Sequence, residues 1–148
     1  MSMSQTGLTR RAALGALLAG APSFAFARGR GPAVDVSPLR RNGDNTDADF
    51  LSEALPGYLS AAFGAGRDVR VRIDSVFYGP PGSNGQQSNN GAIDSIEGVG
   101  WLDGREAPLT CSVVATIMYP DIGGYGARQR QDTLARSFAQ WLPGRLGL

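Results

Sequence analysis

Residues 68–78 of this chain read Asp-Val-Arg-Val-Arg-Ile-Asp-Ser-Val-Phe-Tyr, a regular exchange of apolar and polar side chains. Successive side chains of an extended strand point to opposite faces, so the pattern predicts a strand with one buried and one solvated side. Val69, Val71, Ile73 and Phe77 fall on the first side, and Arg70, Arg72 and Asp74 on the second. A sheet buried on one face needs a second layer to cover it, and the rest of the sequence supplies one.

Two helical patterns flank the strands. Leu51, Ala54, Leu55, Tyr58, Leu59, Ala62 and Phe63 recur at the spacing of one helix face. Thr46 and Asp49 stand where a capping box would open that helix, and Pro56-Gly57 is expected to kink or divide it. A second pattern runs from about Ala127 to Leu142, with Gln131, Leu134, Ala135, Phe138, Trp141 and Leu142 in one stripe, and Pro143-Gly144 is expected to end it. Arg128, Arg130 and Asp132 read as its solvent side. Leu55-Pro56-Gly57-x-Leu59 is echoed by Leu142-Pro143-Gly144-x-Leu146.

Ala33 to Ser37 suggests a short strand stopped by Pro38, followed by a polar turn over 40–45. Ile93 to Leu102 reads as a strand with a bulge near Gly98 and Gly100, and Asp103-Gly104 as a turn. Leu109 to Tyr119 reads as a third long strand. Gly79 to Gly91 has no apolar anchor and reads as a mobile loop, and Pro120 to Gly126 as a glycine-rich turn. The expected fold is α+β: a two-layer sandwich of a mainly antiparallel four-stranded sheet, in the order β-α-β-β-β-α, with two helices on one face.

The N-terminus has a different organisation. Met1 to Arg11 is polar and without acidic residues, Ala12 to Ala21 is apolar but too short to span a bilayer, and Ala25-Phe26-Ala27 has the small-x-small form that signal peptidase reads. Thr9-Arg10-Arg11-Ala12-Ala13-Leu14 resembles the twin-arginine export consensus. Ala13 stands where that consensus has Phe, and Gly15 where it has Lys. The resemblance implies a cleavable signal over 1–27, cut between Ala27 and Arg28, and export to the periplasm or beyond by a translocase. A Sec signal with adjacent arginines is the alternative. Residues 28–32 then form a linker and 33–148 one domain, with no membrane span left after cleavage.

Charge and residue types narrow the chemistry. The chain has 14 basic residues, all Arg, and 13 acidic ones; without Arg10 and Arg11 the basic count is 12. So balanced a charge gives no field for nucleic acid. There is no histidine and one cysteine, Cys111. This excludes His-dependent triads, zinc sites built from Cys and His, and an internal disulfide, and no metal or other cofactor is expected. Cys111 lies on an apolar strand face and reads as a buried thiol. Asn42-x-Asp44-x-Thr46 with Glu53 has the outline of a calcium loop, but Asp47 occupies the place that needs glycine. Gly123-Gly124-Tyr125-Gly126 lacks the spacing of a phosphate-binding loop.

Two functions fit. One is a non-enzymatic binding or envelope-assembly accessory domain that meets an envelope protein or small ligand through Tyr78, Tyr119, Asp121, Tyr125, Arg70 and Arg72. The other is a small hydrolase or lyase acting on envelope polysaccharide through a carboxylate pair drawn from Asp94, Glu97, Asp103, Asp121 and Asp132, with Tyr78, Trp101 and Tyr119 as sugar-stacking surfaces. The second requires two acids to converge in one cleft.

Overall fold

A computed structural model of the chain describes residues 31–80, 91–116 and 125–148. The elements are β1 (Ala33–Asp35), α1 (Ser37–Asn42), α2 (Asn45–Phe63), β2 (Arg70–Tyr78), β3 (Gly91–Leu102), β4 (Arg105–Thr116) and α3 (Tyr125–Arg145). The four strands form one sheet in the order β1-β2-β3-β4. The class is α+β, but the sheet is mixed rather than mainly antiparallel, and the described residues form three helices rather than two. β1 runs parallel to β2, pairing Ala33 with Arg70 and Asp35 with Arg72, because the chain returns through α1 and α2 before entering β2. β2–β3 and β3–β4 are antiparallel.

The extra helix, α1, replaces the expected polar turn. Pro38 stops β1, yet it sits in the first turn of α1, where its missing N–H leaves no bond unmade. The Asp35 carboxylate accepts a hydrogen bond from the Ser37 N–H at 2.8 Å across this junction. α2 starts behind Asp44 with no side-chain cap, so the capping box of Thr46 and Asp49 does not form. Asp49 pairs instead with Arg40, at 2.7 Å.

Neither proline divides its helix. α2 continues through Pro56, and α3 continues through Pro143 to Arg145. In both copies of the Leu-Pro-Gly-x-Leu echo the two leucines are buried: Leu55 and Leu59, and Leu142 and Leu146. The apolar contacts on either side of each proline outweigh the lost backbone bond, which costs about 3 kcal/mol in an unsupported helix.

One face of the sheet is sealed. Val69, Val71 and Ile73 meet Ile96, Leu102, Leu109 and Cys111 in a core completed by Leu39, by Leu51, Leu55 and Leu59 of α2, and by Leu134, Phe138 and Leu142 of α3. Trp141, expected in that stripe, is instead exposed, and Ala139 is buried in its place.

β2 carries a correction of phase. Ile73 pairs with Gly98 but Ser75 with Glu97, so Asp74 is an extra residue in β2. Before the bulge the odd-numbered residues point inward; after it Val76 and Tyr78 turn to the core, and Phe77 is left 58% exposed on the other face. The expected bulge in β3 is therefore in the partner strand, opposite Gly98. A side chain at Gly98 would place its Cβ 2.4 Å from the Arg72 carbonyl oxygen, and one at Gly100 would lie 2.6 Å from Leu142. The two glycines bring β2 and α3 close to β3.

β4 starts at Arg105, ahead of the expected Leu109. Leu102 pairs with Arg105 around Asp103 and Gly104, whose φ values of 51° and 77° suit the tight two-residue turn of a twisted hairpin. The export segment, the stretch 81–90 of the expected loop, and Ile117 to Gly124 lie outside the described residues. No helix among the described residues is long and apolar enough to cross a membrane.

Candidate functional site

Where β2 ends and β3 begins, the inner face of the sheet stops being apolar. Asp94 is two residues from Ile96 on β3 and shares its inward phase, so its carboxylate is carried into the interior. It is fully buried and is the sole buried charged residue among those described. An uncompensated carboxylate there would cost several kcal/mol, and the fold brings an arginine to it.

Arg130 of α3 meets Asp94 side-on. Its Nε donates to Oδ2 at 2.7 Å, its Nη2 donates to Oδ1, and the same Nη2 reaches the Gly79 carbonyl at 2.8 Å. The Gly79 N–H in turn donates to Asp94 Oδ1 at 3.1 Å. The guanidinium lies 5.1 Å from the centre of the Tyr78 ring, in the range of a cation–π contact. Placing Arg130 on the solvent side of α3 is thus corrected: its side chain is only 16% exposed.

Tyr78 joins this group to α2. Its hydroxyl donates to Asp47 Oδ1 at 2.7 Å, and Gln131 Nε2 donates to the same oxygen at 2.7 Å. Burial first, and the Asp47 hydrogen bond second, push the Tyr78 phenol far above its ordinary range. Further along the helix pair, Tyr58 donates to Asp132, and Arg136 bonds Asp132 at 2.9 Å while stacking 5.1 Å from the Tyr58 ring. The Asp132 hydrogen bond is the main reason that the Tyr58 phenol also lies above its usual value.

Among the described residues, no helix covers the opposite face of the sheet. Arg70 pairs with Asp68 at 3.2 Å, Arg72 forms a two-pronged pair with Asp74 at 2.6 and 3.1 Å, and Ser75 donates to Glu97 at 3.1 Å. Arg72 also lies 5.8 Å from the Trp101 ring. Toward the other end the face turns apolar. Ile93 and Val114 are cross-strand partners, Phe77 is one row away, and all three are exposed.

The structure separates the residues singled out in the sequence. Tyr78 is at the buried polar junction and engaged on both sides, not open for stacking. Arg70 and Arg72 are on the uncovered face. Tyr119 and Asp121 lie outside the described residues, and Tyr125 is the first residue of α3. The candidate acids are dispersed: Asp94 points inward, Glu97 outward, Asp103 is in the hairpin turn and Asp132 is on α3. Cys111 is buried, which pushes its thiol up. No group of three or more potential metal ligands occurs among the described residues.

Asp47, Arg130 and Gln131 were missed by sequence reasoning. One signal was available: a carboxylate at Asp94, in phase with Ile96, had to find a cation.

The fold and these two surfaces define a two-layer α+β domain with one sealed and one open sheet face. No protein-family model and no curated protein matches the chain.

Proposed function

We propose that this protein is an exported, non-enzymatic binding domain of the cell envelope, and that it docks a protein partner on the uncovered face of its sheet. One observation carries the reading: a four-stranded sheet sealed by helices on one side presents exposed Phe77, Ile93 and Val114 on the other, with the polar Ser75–Glu97 and Arg72–Asp74 pairs next along the same face. Apolar side chains grouped at one end of a face and rimmed by charge are the composition of an interface. A small-molecule role has less support. Two open hollows beside α2 and α3, of about 270 Å³ (Tyr58, Ala61, Arg136) and 290 Å³ (Phe50, Arg128, Asp132), are at or below the size of such sites. The dispersed acids give the polysaccharide hydrolase or lyase no observation in its favour.

The test is crosslinking in the envelope with the wild-type chain and with Phe77→Ser and Val114→Asp. Both side chains are already in water, so each variant should keep the wild-type Tm within about 2 °C. The expected result is a discrete adduct that both variants lose. Variants that fold normally and retain every adduct would remove the open face as the docking surface.

A further inference from the structure

α3 is fastened in two different ways along its length. From Leu134 onward it is held by apolar burial: Leu134, Ala135, Phe138, Ala139, Leu142 and Leu146 are all in the core. None of residues 126–133 is buried. That part is tied to the body by polar groups: Arg130 to Asp94 and Gly79, Gln131 to Asp47, and Asp132 to Tyr58. Lifting the first turns would return these groups to water without exposing a buried apolar side chain of residues 126–133. Hydrogen bonds and ion pairs exchanged for hydration contribute little net stability, whereas apolar burial is lost in full. The two halves should therefore open at different free energies.

What Arg130 would leave behind is a shaped site. The Asp94 carboxylate accepts two N–H groups along one edge, the Gly79 carbonyl accepts a third bond, and the Tyr78 ring supplies a π face. A planar guanidinium satisfies all three at once, and an ammonium does not. We infer that Asp94, the Gly79 carbonyl and the Tyr78 ring form a guanidinium receptor which Arg130 occupies as a releasable latch, so that residues 126–133 open independently of the rest of α3. The ligand class the vacated receptor takes is a guanidinium cation, such as an arginine side chain of another segment.

Amide hydrogen exchange of the wild-type protein reads the latch directly. Residues 126–133 should exchange at least about tenfold faster than 134–146, and uniform protection along α3 would overturn the proposal. The variant Arg130→Ala tests the receptor. A rigid interior would leave Asp94 buried and unpaired, with Tm falling by about 10 °C or more. A latch limits the loss to the cost of opening, so the expected fall is below about 5 °C, with faster exchange confined to 126–133 and the adjoining strand ends. Methylguanidinium, added well below denaturing concentrations, should raise the Tm of Arg130→Ala and slow exchange at Asp94. Methylammonium should do neither, and wild type should not respond. Equal effects of the two cations would overturn the receptor. If Arg130→Ala does not fold, the interior is rigid, and that outcome also counts against the latch.

Discussion

At the scale of single residues, Tyr78 joins the sheet to two helices. The bulge at Asp74 turns it inward, α2 supplies Asp47 as its acceptor, and α3 lays Arg130 over its ring. Burial and the Asp47 bond favour the neutral phenol, so its folded pKa lies above the unfolded value of about 10. A raised pKa means that the folded state holds the proton more tightly. The resulting stability is complete below pH 10 and is lost as the pH rises from there toward the folded value. Tyr78→Phe keeps the ring and removes both the donor and this dependence. At pH 7 it should cost about 1–2 kcal/mol, since Gln131 still donates to Asp47. Between pH 10 and 11.5 the difference from wild type should shrink, because Tyr58 titrates in both proteins and cancels. Urea midpoints across that range measure it, and a constant difference would show that Tyr78 is not held in its neutral form by the fold.

At the scale of elements, the glycines give a test with two signs. Gly57 lies inside α2 with open space where a Cβ would go, so Gly57→Ala should stabilise the protein by about 0.5–1 kcal/mol. Gly98 faces the Arg72 carbonyl and the Phe138 ring, and Gly98→Ala should destabilise it by about 1–3 kcal/mol or more. Thermal melts of the two variants should move in opposite directions. The same contrast shows what was legible in the sequence. Strands with plain alternation, the Asp103-Gly104 turn and the Leu55–Leu59 stripe follow from local periodicity, and they appear as expected. The phase of Phe77 does not, because one inserted residue reverses every later position, and the insertion shows only in the pairing of β2 with β3. The prolines misled for a related reason: a local penalty was overridden by burial that only the assembled layer supplies. Arg130 was unreadable from α3 alone, since a helix pattern assigns arginine to water until a neighbouring strand presents Asp94.

At the scale of the molecule, the core draws on residues from Val36 to Leu146, and the first and last elements described both pack against the middle of the sequence. β1 pairs with β2, and α3 covers β3 and β4. The interior is therefore complete only after α3 has been made, and with one cysteine in the chain no internal disulfide takes part in closing it. Such a chain can reach its folded state before it crosses a membrane, which is the condition associated with twin-arginine export. Sec export instead requires the chain to remain unfolded. If the Arg10-Arg11 pair directs the first route, changing both to Lys keeps the charge and removes the recognised guanidinium pair. The expected outcome is precursor retained inside the cell, folded and protease-resistant, with no processed protein in the periplasm. Processed protein at wild-type levels would assign the chain to the Sec route. The domain would then have to fold after transport, and the polar latch at Asp94 would form only in the envelope.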